Sequence, residues 1–529
     1  MTLITNHWGL DGIILLTTLM VAAYLYMTRN FKYWKRRGVL EVSPVPFIGN
    51  FTECMLMQKN PGYFMKDLYN HARGLPYIGF YVFDKPSLLV CDRELVKNVL
   101  VKDFNHFSDR YGTPDTNDRL GYANLFFIKN PAWKILRTKL TPIFTSGKLK
   151  KMFGLMLECG NNLDIYINSL KLEGSSKMLD VKELSAKFTT DVIASTAYGL
   201  NVNSLNNPDA EFRKYGKKMF HYDFFRGLEI LAVFFLPNLV RLTGVKMFGK
   251  ESTDFLRKAF WETMLQRMES GEKRNDLIDI LIELKKTHNN QDIGGFKFDG
   301  DDLVAQAAVF FAAGFETSST VTAFTLYELA VQPEIQTRLR KEIIEALDET
   351  NGEITYDMTL SLPYLDMVVC ETLRKYPTLP FLDRTTVETY KMPNSDLVIE
   401  KGTPIYISML GMHYDPEYFP DPEKYDPERF NEENKRNIPS CAYFPFGEGP
   451  RACIGTRFGL LTTKLALIKI FSKCEVTPCE KTMIPIILDP KASFASPLGG
   501  KIYLNIRKVS EPTESLDRTE IVSSALYKS

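Results

Sequence analysis

One loop near the carboxyl end of the chain carries residues whose types and spacing could do chemistry. Residues 446–455 have the sequence Phe-Gly-Glu-Gly-Pro-Arg-Ala-Cys-Ile-Gly, and a run rich in apolar residues follows. The glycines and the proline predict a tight, non-helical loop, and the apolar run predicts a buried helix. Cys453 therefore precedes a helix amino terminus, where free N–H groups and the helix dipole favour a thiolate over a thiol. Such a thiolate suits a nucleophile or a soft metal ligand.

Three other interpretations of this loop compete with metal ligation. A dinucleotide-binding loop would start at Gly447, but Pro450 and Arg451 would then lie in the phosphate turn, and the segment before it is a poor buried strand. A zinc site would need more ligands, and no nearby cysteine has CxxC spacing. A buried, inert state is the commonest one for a single cysteine, but it leaves the glycine-rich loop unexplained.

The spacing Phe-x-x-Gly-x-Arg-x-Cys-x-Gly resembles the haem-binding loop of the cytochrome P-450 family, with Phe446, Gly449, Arg451, Cys453 and Gly455 in its fixed positions. The resemblance implies that the Cys453 thiolate is the axial ligand of the iron of haem b (iron protoporphyrin IX). In that role it donates electron density that favours O–O cleavage. The resemblance also implies that Phe446 packs beside the sulfur and that Arg451 reaches a haem propionate.

Two further patterns of the same family concern the haem propionates. Trp133 and Arg137 lie one helical turn apart and resemble the pair with which the family holds a propionate. As a bare pattern this pair is weak. Arg384 resembles another propionate ligand.

A third pattern concerns the support of the haem. Glu371 and Arg374 are three residues apart on one predicted helix face, a spacing that in isolation usually marks a solvated surface pair. Together with Arg429 they resemble the family's buried Glu/Arg/Arg network, which is structural and locks the core behind the haem.

The longest predicted helix runs over residues 301–332, about 48 Å at 1.5 Å per residue. A glycine inside it costs up to about 1 kcal/mol, and a threonine there could simply bond back to the preceding turn. The resemblance assigns sharper roles: Gly314 leaves room for dioxygen, Thr317 donates a hydrogen bond to the bound oxygen, and Glu316 helps to relay protons. These residues favour monooxygenation over the alternative, a haem-thiolate isomerase or dehydratase that acts without a reductase.

The resemblance also locates a substrate pocket whose walls are almost entirely apolar, although each aromatic residue in it could equally be ordinary core. An apolar pocket suits lipophilic compounds: xenobiotics such as plant toxins or insecticides, with endogenous lipids or hormones as the other class. Residues 104–110, 314–320 and 446–451 are most similar to the insect microsomal branch of the family, which is tied to xenobiotic metabolism. The pocket residues are Phe126, Phe127, Phe310, Ala313, Leu379, Leu382 and Phe494.

The elements that must position these residues are mostly helices. Helical periodicity dominates the chain, and a hairpin over residues 77–91 is the clearest strand signal. The fold class is therefore mainly α with a small β portion (α+β), a single large haem-thiolate domain built on a long central helix. We expect a membrane anchor over residues 1–28, a basic and proline-rich linker over 29–49 whose last part, 43–49, acts as a hinge, the monooxygenase domain over 50–508 and a polar tail over 509–529.

Composition excludes several classes of function. Lys and Arg number 65 against 64 Asp and Glu, so the formal net charge of +1 gives no general attraction for nucleic acid. Eight cysteines in 529 residues are too few for a disulfide scaffold. The remaining alternative to an enzyme is a non-catalytic binder of hydrophobic ligands, against which Cys453 argues.

The amino-terminal apolar run spans 21 residues from Trp8 to Thr28, with a basic cluster after it, which favours a membrane anchor over a cleaved signal. The positive-inside rule then predicts a cytosolic catalytic domain and an amino terminus on the other side of the membrane. The resemblance to the microsomal branch implies that this membrane is the endoplasmic reticulum, with the amino terminus lumenal. By resemblance, the apolar segment 222–248 dips into the bilayer, with a plain buried helix pair as the alternative. No flavin or nicotinamide domain is recognisable, so we expect electrons from an NADPH–cytochrome P-450 reductase, with cytochrome b5 as an optional second donor. The lysine-rich stretch 134–151 would dock the reductase.

Overall fold

The computed structural model describes residue 5 and residues 7–207, 209–288 and 291–509. The tail predicted over 509–529 lies, apart from Val509, outside the described residues. The α-helices are α1 (Trp8–Thr28), α2 (Thr52–Met55), α3 (Pro61–His71), α4 (Arg93–Lys97), α5 (Arg119–Tyr122), α6 (Ala132–Leu140), α7 (Ser146–Ser169), α8 (Val181–Ala197), α9 (Glu211–Met219), α10 (Phe224–Phe235), α11 (Pro237–Thr243), α12 (Lys250–Ser270), α13 (Leu277–Thr287), α14 (Gly300–Val331), α15 (Pro333–Glu349), α16 (Tyr356–Leu360), α17 (Pro363–Lys375), α18 (Met409–His413), α19 (Glu432–Asn437) and α20 (Thr456–Phe471).

The strands are short and few, as expected for a mainly α protein. They are β1 (Tyr77–Val82), β2 (Lys85–Val90), β3 (Ser176–Asp180), β4 (Asp292–Ile293), β5 (Phe296–Lys297), β6 (Leu382–Thr385), β7 (Tyr390–Lys391), β8 (Val398–Ile399), β9 (Pro404–Ile407), β10 (Cys474–Pro478) and β11 (Tyr503–Lys508). Four strands form one sheet in the order β1-β2-β9-β6, in which β2 and β9 are parallel and the other neighbours antiparallel. A second, antiparallel sheet has the order β10-β11-β3.

The long helix α14 runs through the centre of the larger hydrophobic core. It has 32 residues, the predicted length, and begins one residue earlier than predicted because the Asp299 carboxylate caps it by accepting a hydrogen bond from the Gly300 N–H at 2.7 Å. Helices α8 and α20 pack along it. A second core lies around the four-stranded sheet and includes the buried side of α10.

The segment after α1 is packed against the sheet. Trp34 is fully buried, and a Cβ on Gly79 of β1 would lie 2.3 Å from its indole. The backbone N–H of Trp34 donates to the Tyr81 hydroxyl at 3.3 Å, and that hydroxyl donates to the Glu41 carboxylate at 2.6 Å. The part of the linker from Trp34 to Glu41 is therefore docked on the sheet.

The apolar segment 222–248 forms the helix pair α10 and α11. Residues 230–235 are buried in the core around the sheet, so the alternative of a buried helix pair holds for this stretch. Phe225 and Leu242 remain 75% and 84% exposed, together with the partly exposed Phe224 and Leu239. The helix pair thus has an apolar outer edge, but the rest of this apolar segment packs against the core.

Candidate functional site

A cavity of about 310 Å³ lies beside α14, between that helix, the loop before α20 and the amino-terminal half of the chain. All residues that the sequence assigns to the cofactor, to catalysis or to the substrate pocket line it. They are Phe126, Phe127, Trp133, Arg137, Phe310, Ala313, Gly314, Glu316, Thr317, Leu379, Leu382, Arg384, Phe446, Arg451, Cys453 and Phe494. Six separate segments of the chain therefore meet at one place: 126–127, 133–137, 310–317, 379–384, 446–453 and Phe494.

The loop that carries Cys453 is shaped by its glycines. Gly447 and Gly449 have φ of 74° and 72°, in the left-handed region that favours glycine. A Cβ on Gly449 would also lie 1.9 Å from the Leu100 carbonyl oxygen, so the loop approaches the Leu100 backbone too closely for a side chain. The Cys453 N–H donates to the Phe446 carbonyl at 2.8 Å, and α20 begins at Thr456.

The groups around Cys453 act on its thiol in opposite directions. Withdrawal from bulk water raises the pKa of the Cys453 thiol, while the Gly455 N–H, the Thr456 hydroxyl and the Arg137 guanidinium each lower it. Gly455 and Thr456 lie at the start of α20, so their effect has the direction that the sequence predicts. In the described part of the chain, no group of three or more His, Cys, Asp and Glu side chains could hold a metal ion.

Three arginines form a buried cationic cluster at the cavity: Arg110, Arg384 and Arg451. Arg110 donates to Asp383 at 3.1 Å, and Arg451 lies 3.3 Å from Asp109. Burial, together with Arg110, lowers the pKa of Arg384 to about 9. Burial and its two arginine neighbours likewise hold the pKa of Arg451 well below its ordinary value.

This cluster tests whether the residues fit a haem. Within the described residues, the buried Nε atoms of Arg110 and Arg384 find no hydrogen-bond acceptor. Buried guanidinium groups without enough carboxylates are costly, and an anionic group in the cavity would relieve them. The two propionates of a haem have the required charge, so the residues fit.

Arg110 was not assigned a role from the sequence, although it lines the same cavity. Its guanidinium lies 3.8 Å from the centre of the Phe126 ring. The segment 104–110 resembles the insect branch of the family, but it contains no motif that assigns Arg110 to the cavity. The partner that places Arg110 there, Asp383, is 273 residues away.

The other predicted propionate ligands also have identifiable partners. Arg451 donates to the carbonyl oxygens of Ser108 at 2.5 Å and Ile128 at 3.0 Å, and its guanidinium lies 4.3 Å from the centre of the Trp133 indole. Arg137 donates to the Ala452 carbonyl at 2.8 Å. These contacts join α6 to the two residues before Cys453, Arg451 and Ala452.

The central helix presents Thr317, Glu316 and Gly314 to the cavity. The Thr317 hydroxyl donates to the Ala313 carbonyl at 2.6 Å, which is the back-bonded arrangement that the sequence left open. The Glu316 carboxylate pairs with the Lys182 ammonium of α8 at 3.0 Å. A Cβ on Gly314 would lie 2.6 Å from Cδ1 of Ile193, so this glycine also lets α8 approach α14.

Aromatic rings make up much of the cavity wall. Phe234 of α10 lies with its ring centre 5.9 Å from that of Phe127 and 5.8 Å from that of Phe494. The sequence analysis places Phe234 in a segment that either enters the bilayer or forms a buried helix pair. The same apolar pattern is found in helices that face lipid and in helices that line a pocket, so the sequence does not identify Phe234 as a cavity residue. Its place is fixed by distant contacts, including the hydrogen bond from the Tyr406 hydroxyl to the Phe234 carbonyl at 3.2 Å.

The predicted Glu/Arg/Arg network lies away from the cavity. Glu371 and Arg374 are fully buried and joined by two hydrogen bonds of 2.7 Å. Arg429 lies 3.5 Å from the same carboxylate, which also accepts the Asp426 N–H at 2.9 Å. Burial raises the pKa of the Glu371 carboxyl, while Arg374, the Asp426 N–H and Arg429 each lower it.

Comparison with known proteins adds independent findings. The family model described as Cytochrome P450 matches residues 41–503. Cytochrome P450 6k1 of Blattella germanica is 46% identical over 515 residues, which cover 94% of this chain and 98% of that protein. Probable cytochrome P450 6g2 of Drosophila melanogaster is 44% identical over 508 residues, with 93% and 98% covered. The predicted similarity to the insect branch is thereby confirmed.

Proposed function

This chain belongs to the cytochrome P450 family and is a haem-thiolate monooxygenase, and from that premise we propose that it inserts one atom of O₂ into lipophilic substrates with electrons from an NADPH-dependent reductase. The observation that carries the proposal is the single cavity in which the Cys453 loop, the cationic cluster and an apolar wall meet beside Thr317. We expect xenobiotics such as plant toxins or insecticides as substrates, with lipids or hormones as the other class.

The cofactor proposed for this cavity is haem b. Cys453 would be its axial ligand, Phe446 would pack beside the sulfur, and Arg451, Arg137, Trp133 and Arg384 would hold the propionates. When bound, the haem supplies the oxygen chemistry of the reaction. The protein's own part is to hold the sulfur in place, neutralise the carboxylates and keep bulk water out of an apolar cavity.

Thr317 and Glu316 would supply hydrogen bonds and protons on the substrate side. To donate towards the cavity, the Thr317 hydroxyl must leave the Ala313 carbonyl, a rotation about one side-chain bond. Glu316 can exchange protons only if its pair with Lys182 opens or shares its hydrogen bonds. Both groups are thus held in a resting arrangement beside the cavity.

The lysine-rich stretch on α6 and the start of α7 would receive the reductase. Lys134, Lys150 and Lys151 are exposed there, and Lys150 also pairs with Asp357 at 2.9 Å. Two contacts place this stretch beside the cysteine loop: Arg137 with Ala452, and Arg457 with Ser146 at 3.1 Å. An acidic partner docked here would lie close to the sulfur side of the haem. Cytochrome b5 would be an optional second electron donor.

The membrane arrangement is also a proposal. Among the described residues, Trp8–Thr28 is the one helix long and apolar enough to cross a membrane, and it stands free of the core. We expect insertion in the endoplasmic reticulum with a lumenal amino terminus, because the basic residues follow the apolar run. Residues 1–28 would be the anchor and residues 50–508 the cytosolic domain.

Reconstitution in vesicles tests the proposed function. The full-length haem protein, with reductase and NADPH, should incorporate one ¹⁸O atom from ¹⁸O₂ into lipophilic test compounds. Thr317→Val should lower the product formed per NADPH, and Thr322→Val is the matched control, because Thr322 bonds the Ser318 carbonyl of the same helix at 2.8 Å but is buried away from the cavity. Conversion that needs no reductase and puts no ¹⁸O into the product would instead support the isomerase or dehydratase alternative.

The docking surface needs a separate test. Lys134→Glu with Lys151→Glu should slow reductase-driven reduction of the iron and weaken its salt dependence. Lys401→Glu, an exposed charge reversal in the turn before β9, is the control. Unchanged reduction kinetics in the double variant would contradict docking on α6 and α7.

A further inference from the structure

His413, the last residue of α18, connects the buried Glu371–Arg374 pair to the segment that leads into the cysteine loop. Its Nε2 accepts the Phe444 N–H at 3.1 Å, and its Nδ1 lies 3.2 Å from the Arg374 carbonyl. The side chain is fully buried. One imidazole therefore contacts two separate elements and has no ring nitrogen left for solvent.

The hydrogen-bond partners fix the protonation of this imidazole. A backbone N–H can only donate, so Nε2 must carry a free lone pair, and Nδ1 must carry the proton that it donates to the Arg374 carbonyl. That carbonyl is at the end of α17, where carbonyl groups lack partners within the helix. The neutral Nδ1–H form thus satisfies a helix end and a loop N–H together.

The contact with Arg374 is reciprocal. The Arg374 guanidinium donates to the His413 carbonyl at 3.0 Å, while the His413 ring donates to the Arg374 carbonyl. The ring also stacks on Tyr443, with centres 5.2 Å apart and planes 30° apart. His413 is accordingly held rigidly by the same arginine that anchors the core behind the cavity.

Backbone hydrogen bonds carry this fixed point to Cys453. The Phe444 carbonyl accepts the Gly447 N–H at 2.8 Å, and the Phe446 carbonyl accepts the Cys453 N–H at 2.8 Å. The loop has positive-φ glycines at 447 and 449 and no helix or strand of its own, so its shape depends on such contacts.

We propose that His413 is a positioning residue for Cys453: its two ring hydrogen bonds join the cysteine loop to the buried Glu371–Arg374 pair and hold the sulfur where it can ligate the haem iron. This proposal rests on the proposed role of Cys453 as axial ligand. His413 touches neither haem nor substrate, and it acts through the backbone of the loop.

Four variants of the full-length haem protein test this proposal. His413→Phe keeps a ring of similar shape but removes both hydrogen bonds. In His413→Gln the side-chain amide oxygen can occupy the position of Nε2 and accept the Phe444 N–H. The shorter side chain of His413→Asn reaches only the position of Nδ1 and cannot accept this N–H. Tyr414→Phe is the matched control, because the neighbouring Tyr414 hydroxyl donates to the Lys375 carbonyl at 3.1 Å, at the same helix end but without contact to the loop.

The readout is the reduced carbon monoxide spectrum, followed over time at a fixed elevated temperature. Loss of the far red-shifted Soret band of thiolate ligation should be at least about tenfold faster in His413→Phe than in the wild type, because one buried hydrogen bond already represents about that factor and this variant removes two. His413→Asn should resemble His413→Phe, Tyr414→Phe should resemble the wild type, and His413→Gln, which keeps the bond to the loop, should lie nearer to the wild type than His413→Asn does. Far-ultraviolet circular dichroism should show that helix content outlasts the band in His413→Phe.

Other results overturn the proposal. Equal rates for His413→Phe and Tyr414→Phe, or a band that persists until the helices melt, would mean that His413 serves only general stability. If His413→Phe fails to fold, equal rates for His413→Gln and His413→Asn would refute it in the same way. Absence of the band in the wild type would refute instead the proposed role of Cys453, so the two failures are distinguishable.

Discussion

The ammonium of Lys182 lies 3.0 Å from the carboxylate of Glu316, and both side chains are largely shielded from solvent, with exposures of 7% and 16%. Lys182 also donates to the Ser319 hydroxyl at 2.8 Å. The acid that neighbours Thr317 is thus held by a lysine from α8 and not by groups of its own helix. The position of the Glu316 carboxylate is therefore coupled to the packing of α8 on α14.

A double-mutant cycle tests this ion pair. Lys182→Met should reduce the free energy of unfolding by about 3 kcal/mol, because it leaves the Glu316 carboxylate buried without its cation. Adding Glu316→Gln should recover much of that loss. Urea unfolding followed by circular dichroism measures both variants, and losses that simply add would show that the two residues are not coupled.

Gly314 is expected to act through helix packing as well as through cavity space. Gly314→Ala places a Cβ 2.6 Å from Cδ1 of Ile193, and overpacking of this kind costs about 1–3 kcal/mol. Ile193→Ala removes the two nearest atoms and should offset most of the destabilisation caused by the alanine at 314. Thermal midpoints of the single and double variants measure the effect. If the double variant loses the sum of the two single-variant losses in thermal midpoint, the contact between residues 314 and 193 does not cause the destabilisation by Gly314→Ala.

Gly447 and Gly449 form a matched pair in the cysteine loop. Both have positive φ, so alanine at either position costs about 1 kcal/mol of backbone strain. A Cβ at 447 meets no atom closer than 3.8 Å, whereas at 449 it would lie 1.9 Å from the Leu100 carbonyl oxygen. Gly447→Ala should therefore retain haem, and Gly449→Ala should lose most of it. The haem content per folded protein measures this difference. Equal haem content in Gly447→Ala and Gly449→Ala would contradict the predicted clash with Leu100.

The elements that local pattern determines were predictable. The apolar run Trp8–Thr28 coincides with α1, and the central helix differs from its prediction by one residue at each end. Strand β3 was missed, because its residues alternate poorly and its pairing, Tyr503 with Asp180, joins segments more than three hundred residues apart. Periodicity within a window cannot show such a partner.

The same division holds for the cavity. Residues in spaced motifs, such as Trp133 and Arg451, were found from the resemblance. Arg110 and Phe234 were missed because distant contacts with Asp383 and Tyr406 bring them to the cavity. Of the effects on the pKa of the Cys453 thiol, the sequence shows the helix terminus that lowers it but not the withdrawal from bulk water that raises it.

Phe234 is expected to limit substrate size. Phe234→Ala should open the cavity wall next to Phe127 and Phe494 and shift binding towards bulkier compounds. Phe235→Ala is the control, because its ring stacks on Tyr406 at 5.3 Å and does not line the cavity. Each truncation should cost about 3–5 kcal/mol of stability. Spectral titration with a homologous series measures the preference, and a similar shift in both variants would contradict the assignment.

The stability of the protein towards acid should depend on His413. Burial, with the Arg374 guanidinium of α17 facing the ring, lowers its pKa to about 3, and the residues on the loop side, Tyr443 and Phe444, present aromatic rings to it. In the unfolded chain this histidine binds a proton below about pH 6.5, whereas in the folded protein it stays neutral. Its contribution to stability is therefore fully present above about pH 6.5 and falls as the pH drops towards 3, by up to about 1.4 kcal/mol per pH unit. Between pH 7 and pH 5 the wild type should lose more thermal stability than His413→Gln, which cannot titrate. Equal losses in scanning calorimetry would show that the imidazole is already protonated in the folded protein or is not buried.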